Sequence, residues 1–324
     1  MRIVSLLPAA TEWICAFGQA DALVGRSHEC DHPPEVEDRP VVTAPTYEAE
    51  GDSTAIDEAM QQAKVQEGLS PYDVDLERLR ALGPDLIVTQ DQCEHCAVSR
   101  PELEAQLAEW TGGAPELFSM QPTTLKEVLD TALRLGRTLG CLDRAMSAIG
   151  DLEAHLRTLR DRIGVDRRTD PETLPSVACI EWLDPLMVAG HWMPDVVEMA
   201  GGRPVLGAAG EPTRRVDWAA LQAADPDVIA CMPCGFAIDE TKRDLHHLTD
   251  RPGWAELTAV RNGRVALLDG TAYYNRPGAR LYRAIAVLAT VLYPDLSLAS
   301  APAFWERQGL PAPASSDGEA RAAD

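Results

Sequence analysis

Short apolar runs alternate along this chain with longer stretches in which apolar residues recur every three or four positions. The runs Ile3 to Leu7, Leu23 to Ser27, Pro40 to Thr43, Asp85 to Thr89 and Glu116 to Ser119 predict strands. The periodic stretches Ala9 to Phe17, Ser53 to Gln66, Asp75 to Leu82 and Arg100 to Trp110 predict helices, with Ser53 placed to cap the second. Such alternation is the pattern of a parallel sheet covered by helices. Leu125 to Gly140 and Asp143 to Ile163 then read as consecutive helices without a strand signal, a rigid connector of about ten turns.

Asp166 to Pro175 reads as a surface loop, after which the alternation resumes. Ser176 to Glu181, Asp227 to Cys231 and Arg264 to Leu268 predict strands; Pro194 to Ala200, Trp218 to Ala223, Ile238 to Leu248 and Gly278 to Leu292 predict helices. From Ala299 onward Ala, Pro, Ser and Asp dominate, which predicts a disordered tail. The fold class is therefore α/β: an N-terminal lobe over 1–122, connecting helices over 123–165, a C-terminal lobe over 166–298 and a tail over 299–324.

The two lobes echo each other. Leu76-x-x-Leu79-x-x-Leu82-Gly83-Pro84-Asp85-Leu86-Ile87-Val88 has its counterpart in Trp218-x-x-Leu221-x-x-Ala224-Asp225-Pro226-Asp227-Val228-Ile229-Ala230. Each unit is a short helix, a Pro-Asp turn and a buried strand, and each is soon followed by a Cys-x-x-Cys, Cys93/Cys96 and Cys231/Cys234.

Charge and motifs narrow the function. Acidic residues number 51 against 29 basic ones, for a net charge of −22, which argues against nucleic acid, whose phosphates need Lys and Arg to replace counterions. No apolar run approaches the roughly eighteen residues of a membrane-spanning helix. Met1-Arg2 leads straight into an apolar strand without the pattern of a secretory leader, so a cytoplasmic location is expected, or a periplasmic or extracellular one if the start is truncated. Gly-x-Ser-x-Gly, His-Glu-x-x-His, Walker-type and Gly-x-Gly-x-x-Gly motifs are missing, and no enzyme is expected.

Ser5-Leu6-Leu7-Pro8-Ala9-Ala10-Thr11-Glu12, Leu23-Val24-Gly25, Cys30-Asp31-His32-Pro33-Pro34 and Met199-Ala200-Gly201-Gly202 resemble landmarks of the helical-backbone receptors that capture cobalamin, haem and iron siderophores. His28-Glu29-Cys30-Asp31, the stretch from Gln90 to Ser99, Gly190-His191-Trp192, Cys231 to Phe236 and Tyr274-Asn275-Arg276-Pro277-Gly278 are similar to the branch of that family labelled cobalamin-binding protein. The resemblance covers roughly residues 2 to 295. It implies two Rossmann-like lobes facing one another across a ligand cleft, a cobalamin, corrinoid or related metal chelate as ligand, and an ABC-transporter permease as partner.

Ligands of parallel α/β lobes sit beyond the carboxyl ends of the strands. Candidate ligand contacts there are Thr11, Glu12, His28, Asp31, Gln90, Glu181, Trp182, His191, Trp192, Phe236, Tyr274, Asn275 and Arg276. The aromatic residues would supply flat walls for a macrocycle and the histidines an axial nitrogen for its metal, while Glu12, Asp31, Glu181 and Arg276 would meet its polar edges. Thr11 has a second reading, as a cap of the first helix. With the lobes facing each other as the resemblance implies, Cys30, Cys93, Cys96, Cys231 and Cys234 would converge on the cleft as ligands for Zn or an iron-sulfur cluster; the alternative is ordinary buried thiols. His155, His246 and His247 fall on charge-rich helices and are read as solvated.

Overall fold

The computed structural model describes residues 1–46, 51–67, 72–90, 103, 104, 107, 113–165, 169–296, 298 and 305–307. In the first lobe, β1 (Ile3–Ser5) lies between β2 (Leu23–Arg26) and β5 (Leu86–Gln90), with β6 (Glu116–Met120) beyond β5. All three pairings are parallel. A small antiparallel pair, β3 (Thr43–Pro45) and β4 (Tyr72–Val74), stands beside this sheet. The strand expected at Pro40 to Thr43 is displaced to Thr43–Pro45, because Val41 forms only a single bridge to Arg26.

The second lobe repeats the arrangement. Its first strand, β7 (Ser176–Trp182), runs parallel to β11 (Val228–Cys231), which runs parallel to β12 (Val265–Leu268). Short strands complete the other edge: β8 (Met187–Val188) antiparallel to β7, β9 (Arg203–Pro204) parallel to it, and β10 (Arg214–Arg215) antiparallel to β8. Every residue of β1, β11 and β12 is buried, the condition under which a strand reads as a continuous apolar run and not as an alternation. Within the stretch expected to be a disordered tail, β13 (Trp305–Arg307) pairs antiparallel with β12. Without it β12 would present a row of unpaired backbone groups at the sheet edge.

Helix α1 (Pro8–Ala16) starts on a proline, whose missing N–H is no loss in the first turn. Helix α2 (Ser53–Glu67) is capped by Asp52, not by Ser53: the Asp52 carboxylate accepts the Ala55 N–H at 2.9 Å. Helix α3 (Leu76–Leu82) precedes β5. Most of the helix expected at Arg100 to Trp110 lies outside the described residues; Leu103 and Leu107 are helical and buried.

The connector is α4 (Leu125–Thr138) and α5 (Leu142–Ile163). On α5 the buried residues Ala145, Ile149, Leu152, Leu156 and Leu159 recur at three- and four-residue intervals along a helix about 33 Å long. The two helices cross closely at Gly136, where a side-chain carbon would come within 2.4 Å of the Ala145 methyl. Their apolar faces join one continuous core that includes Ile3, Trp13 and Leu86 of the first lobe and Val177, Tyr274, Ile285 and Leu288 of the second.

The remaining helices of the second lobe are α6 (Met193–Met199), α7 (Trp218–Ala224), α8 (Ile238–Asp244), α9 (His246–Thr249), α10 (Thr258–Arg261) and α11 (Leu281–Leu292). The single helix expected at Ile238 to Leu248 is thus broken at Leu245, whose side chain is buried in the lobe interior.

The sequence echo has a backbone counterpart. Helix α3 ends on Gly83 at φ 53° and α7 on Asp225 at φ 35°, both left-handed residues that turn the chain into the following Pro-Asp. Glycine takes this conformation freely, whereas Asp225 is held in it by accepting the Thr258 N–H and hydroxyl, each at 2.7 Å. These bonds hold the Asp225 carboxyl below its ordinary range. Asp225→Ala should therefore cost about 1–2 kcal/mol, the usual range for a lost cap, measured by urea unfolding at neutral pH. Because the folded pKa is depressed, the wild-type advantage should be present above the unfolded value and fade as the pH falls through the folded one.

Candidate functional site

Residues beyond the carboxyl ends of strands in one lobe touch their counterparts in the other at two places. At the first, Glu12 of α1 is 3% exposed, and its Oε1 accepts the Arg280 guanidinium at 2.7 Å. Burial pushes the Glu12 carboxyl up, opposed by Arg280 and Arg276. Arg276, 7% exposed, donates to both oxygens of Asp31 and to the Glu29 carbonyl at 3.0 Å. The Trp13 indole donates to the Pro277 carbonyl at 3.0 Å. Glu12, Asp31 and Arg276, expected to meet a ligand's polar edges, are thus engaged with partners across the lobe boundary.

Around this clamp several expected wall residues turn inward. Tyr274 is fully buried, its hydroxyl donating to the Ala284 carbonyl at 3.1 Å, because the 270–274 turn folds back into the core. Asn275 fixes that turn by donating to the Met232 and Gly270 carbonyls at 3.2 and 3.1 Å. Thr11 is buried and donates to Ser5 Oγ at 2.8 Å; it does not cap α1, whose N-cap is Leu7.

At the second place, α2 lies against the C-terminal lobe. The Trp182 indole donates to the Ser53 carbonyl at 3.1 Å, and the rings of Trp182 and Phe236 meet at 5.3 Å with Ile56 packed on them. Met187 and Cys234 flank this group. Asp184 N–H donates to Ser53 Oγ at 3.1 Å, Thr54 Oγ1 donates to Asp184 at 2.9 Å, and Ser53 N–H donates to the buried Asp244 carboxylate at 3.2 Å. Arg215 pairs with Asp57 at 3.2 Å. Sequence reading missed Ser53, Asp184 and Asp244 because polar residues scattered over three segments carry no common signal until the fold assembles them.

His191 belongs to a third group. It stands at φ 50°, unusual for a residue other than glycine, with its N–H donating to the Glu211 carbonyl at 2.6 Å. Its ring stacks on Trp192 at 5.9 Å, and its buried Nδ1 has no hydrogen-bond partner. Burial lowers its pKa, which favours the neutral imidazole, the form that can ligate a metal. Trp192 donates to the Tyr274 carbonyl at 3.3 Å. The adjoining loop reaches the end of the first lobe, since Gly210 N–H lies 3.1 Å from the His191 carbonyl and 3.2 Å from that of Thr123. Thr213 donates to Glu181 at 2.7 Å, and burial raises the Glu181 carboxyl.

On the first lobe, His28 Nδ1 lies 2.7 Å from Thr43 Oγ1 and its ring meets Tyr72 at 5.3 Å; burial lowers its pKa. Gln90 closes β5, half-buried. Cys93, His95 and Cys96 lie outside the described residues.

Of the five cysteines expected as metal ligands, Cys30 and Cys231 are buried, as in the alternative reading of ordinary buried thiols. Cys30 is buried against the Thr11 hydroxyl at 3.1 Å, and burial pushes its thiol up to about 11. Cys231 is the last residue of β11, as expected, but its side chain lies among Ile180, Ile229 and Leu267, with its thiol pushed up to about 12 by burial. The two stand in the interiors of different lobes. Among the described residues no cysteine joins two other His, Cys, Asp or Glu side chains within ligating distance.

The family model described as periplasmic binding protein matches residues 3–272. The chain belongs to this family. Relatives of the chain include the vitamin B12-binding protein of Vibrio cholerae, 24% identical over 291 residues, 90% of this chain and 88% of the relative. An uncharacterised ABC transporter substrate-binding lipoprotein of Bacillus subtilis is 24% identical over 91% of this chain and 80% of its own. Among solved structures, a periplasmic haem-binding protein of Pseudomonas aeruginosa superimposes with a TM-score of 0.65 at 25% identity, covering 91% of this chain and 93% of its own. The periplasmic vitamin B12-binding protein of Vibrio cholerae shares the fold, with a TM-score of 0.64 at 23% identity, covering 90% of this chain and 96% of its own. The expected cytoplasmic location finds no support in relatives described as periplasmic or as a lipoprotein. Among the described residues, no helix is long and apolar enough to cross a membrane.

Proposed function

We propose that this chain is the solute-binding component of an ABC transporter and takes a planar metal chelate, a corrinoid or haem, between its lobes outside the cytoplasmic membrane. The observation that carries this reading is the meeting of the two lobes through residues beyond the carboxyl ends of their strands, where ligands of α/β folds bind. Family membership and relatives named for vitamin B12 and haem support it. The lobes over 1–122 and 166–298 would act as the jaws, held apart by the connector over 123–165. Trp182, Phe236 and Trp192 would supply apolar faces, His191 or His28 a neutral imidazole toward the metal, and Gln90 and Glu181 the polar edge contacts. A transporter permease would receive the loaded form.

Ile56 of α2 covers the Trp182–Phe236 pair, so a ligand reaching these rings would have to displace α2. Titration of the protein with cyanocobalamin, cobinamide and haemin, followed by calorimetry and tryptophan fluorescence, should give saturable binding of at least one with Kd below about 10 μM, near −7 kcal/mol. Failure of all three to saturate would overturn the proposal.

A further inference from the structure

Away from the aromatic pair, where α2 begins, three metal-ligating side chains come together. Asp52 caps α2; His246 and His247 open α9 on the other lobe. One ligand atom from each lies within 4.8 Å of the others, and the two imidazole rings are 4.1 Å apart. His246 Nδ1 is 3.2 Å from the Arg243 carbonyl, so the proton sits there and Nε2 carries the free lone pair. Metal-ligating histidines are commonly oriented by such a bond from the second nitrogen to a carbonyl or carboxylate.

His247 is poised in the same sense. Its Nε2 is buried and makes no hydrogen bond, yet stands 3.5 Å from Asp52 Oδ2 and 3.3 Å from Asp244 Oδ1. Its Nδ1 faces the Asp184 carboxylate at 3.9 Å. Ligand atoms bound tetrahedrally to Zn at about 2.0–2.1 Å are about 3.3 Å apart, close to these separations. Two imidazoles and a carboxylate form a donor set for a borderline-soft divalent ion, with Asp244 or water available for a fourth position.

We propose that Asp52, His246 and His247 form a Zn(II)-class divalent-cation site that joins the start of α2 to the C-terminal lobe. It adjoins the contact made by Ser53, Asp184 and Asp244, but uses none of the side chains assigned to the chelate and none of the cysteines. A cation there would add a bond to the face on which Ser53 and Thr54 already hold Asp184 and Asp244. The attachment of α2 to the C-terminal lobe would thereby be strengthened by metal.

The test is calorimetric titration of the full chain with ZnCl2 in a Cys93→Ser/Cys96→Ser background, which removes competing thiolates. One equivalent should bind with Kd below about 1 μM, and Asp52→Ala, His246→Ala and His247→Ala should each weaken it at least about tenfold, since even outer-shell losses at metal sites reach that size. Thermal unfolding provides the folding control: Zn(II) should raise Tm in the parent and leave the three variants unmoved. Co(II) should give a ligand-field spectrum without a thiolate charge-transfer band. Undiminished zinc binding in the three variants, a thiolate band, or no binding to the parent would overturn the site and leave a histidine–carboxylate ion pair in its place.

Discussion

Arg280→Met should lower the unfolding free energy at neutral pH by about 3–5 kcal/mol, the cost of leaving one member of a buried ion pair without its partner. Glu12 is 3% exposed, takes its strongest compensation from Arg280, and packs so tightly on the second lobe that a side-chain carbon at Gly278 would come within 2.3 Å of its carboxylate. The loss should depend on pH in a definite direction. Burial raises the folded pKa of Glu12 above its ordinary 4.5, so the folded state holds this proton more firmly than the unfolded chain, and stability falls as pH rises through the interval between the two values. Without the Arg280 side chain the desolvation is opposed only by Arg276 and the backbone N–H at position 280, and that interval widens. Urea unfolding should therefore show wild type and variant closest near or below pH 4.5 and furthest apart at neutral pH. A gap that is constant with pH would mean that packing of the long side chain, and not its charge, is what the substitution removes.

Trp182→Ala should have the largest effect on the proposed binding, lowering chelate affinity at least about thirtyfold, or about 2 kcal/mol, as removal of a central aromatic anchor does. It should also cost about 3 kcal/mol of stability, because the ring packs on Phe236 and Ile56 and its indole holds the Ser53 carbonyl. Trp182→Phe separates the two roles. It keeps an aromatic face for the ligand and loses the bond to Ser53, so hydrogen exchange over 53–67 should accelerate while chelate affinity changes by no more than a few-fold. Equal losses of affinity in both variants would show that the attachment of α2, and not the aromatic wall, governs binding.

The parts of the molecule legible in its sequence are those with a local cause. Val228–Cys231 and Val265–Leu268 are covered on both faces and read as unbroken apolar runs; the stripe from Ala145 to Leu159 declares its helix by spacing alone. The Pro-Asp echo was visible because both lobes use the same helix stop. The site was less legible because its residues answer to partners distant in the chain. Arg276 finds Asp31 across 245 positions and Ser53 finds Asp244 across 191. Tyr274 sits in a sequence that suits a cleft mouth, yet the following turn directs its ring into the core. Cys231 ends its strand where the apolar run ends, but only the fold shows that its side chain turns into the apolar interior and not toward the rim. His246 is exposed, as its charged surroundings suggest, but the break at Leu245 and the approach of Asp52, distant in sequence, leave His247 only partly so.

The core that passes from Ile3 through Leu135 and Ile149 to Leu288 makes the duplicated plan indivisible. Each lobe repeats the other's architecture, but neither encloses a complete interior, since both lean on the same pair of connecting helices. Cutting the chain at the loop between them would strip an apolar face from each half. Two fragments expressed separately should be insoluble or bind one another, and the intact protein should melt in a single transition despite its bilobed outline.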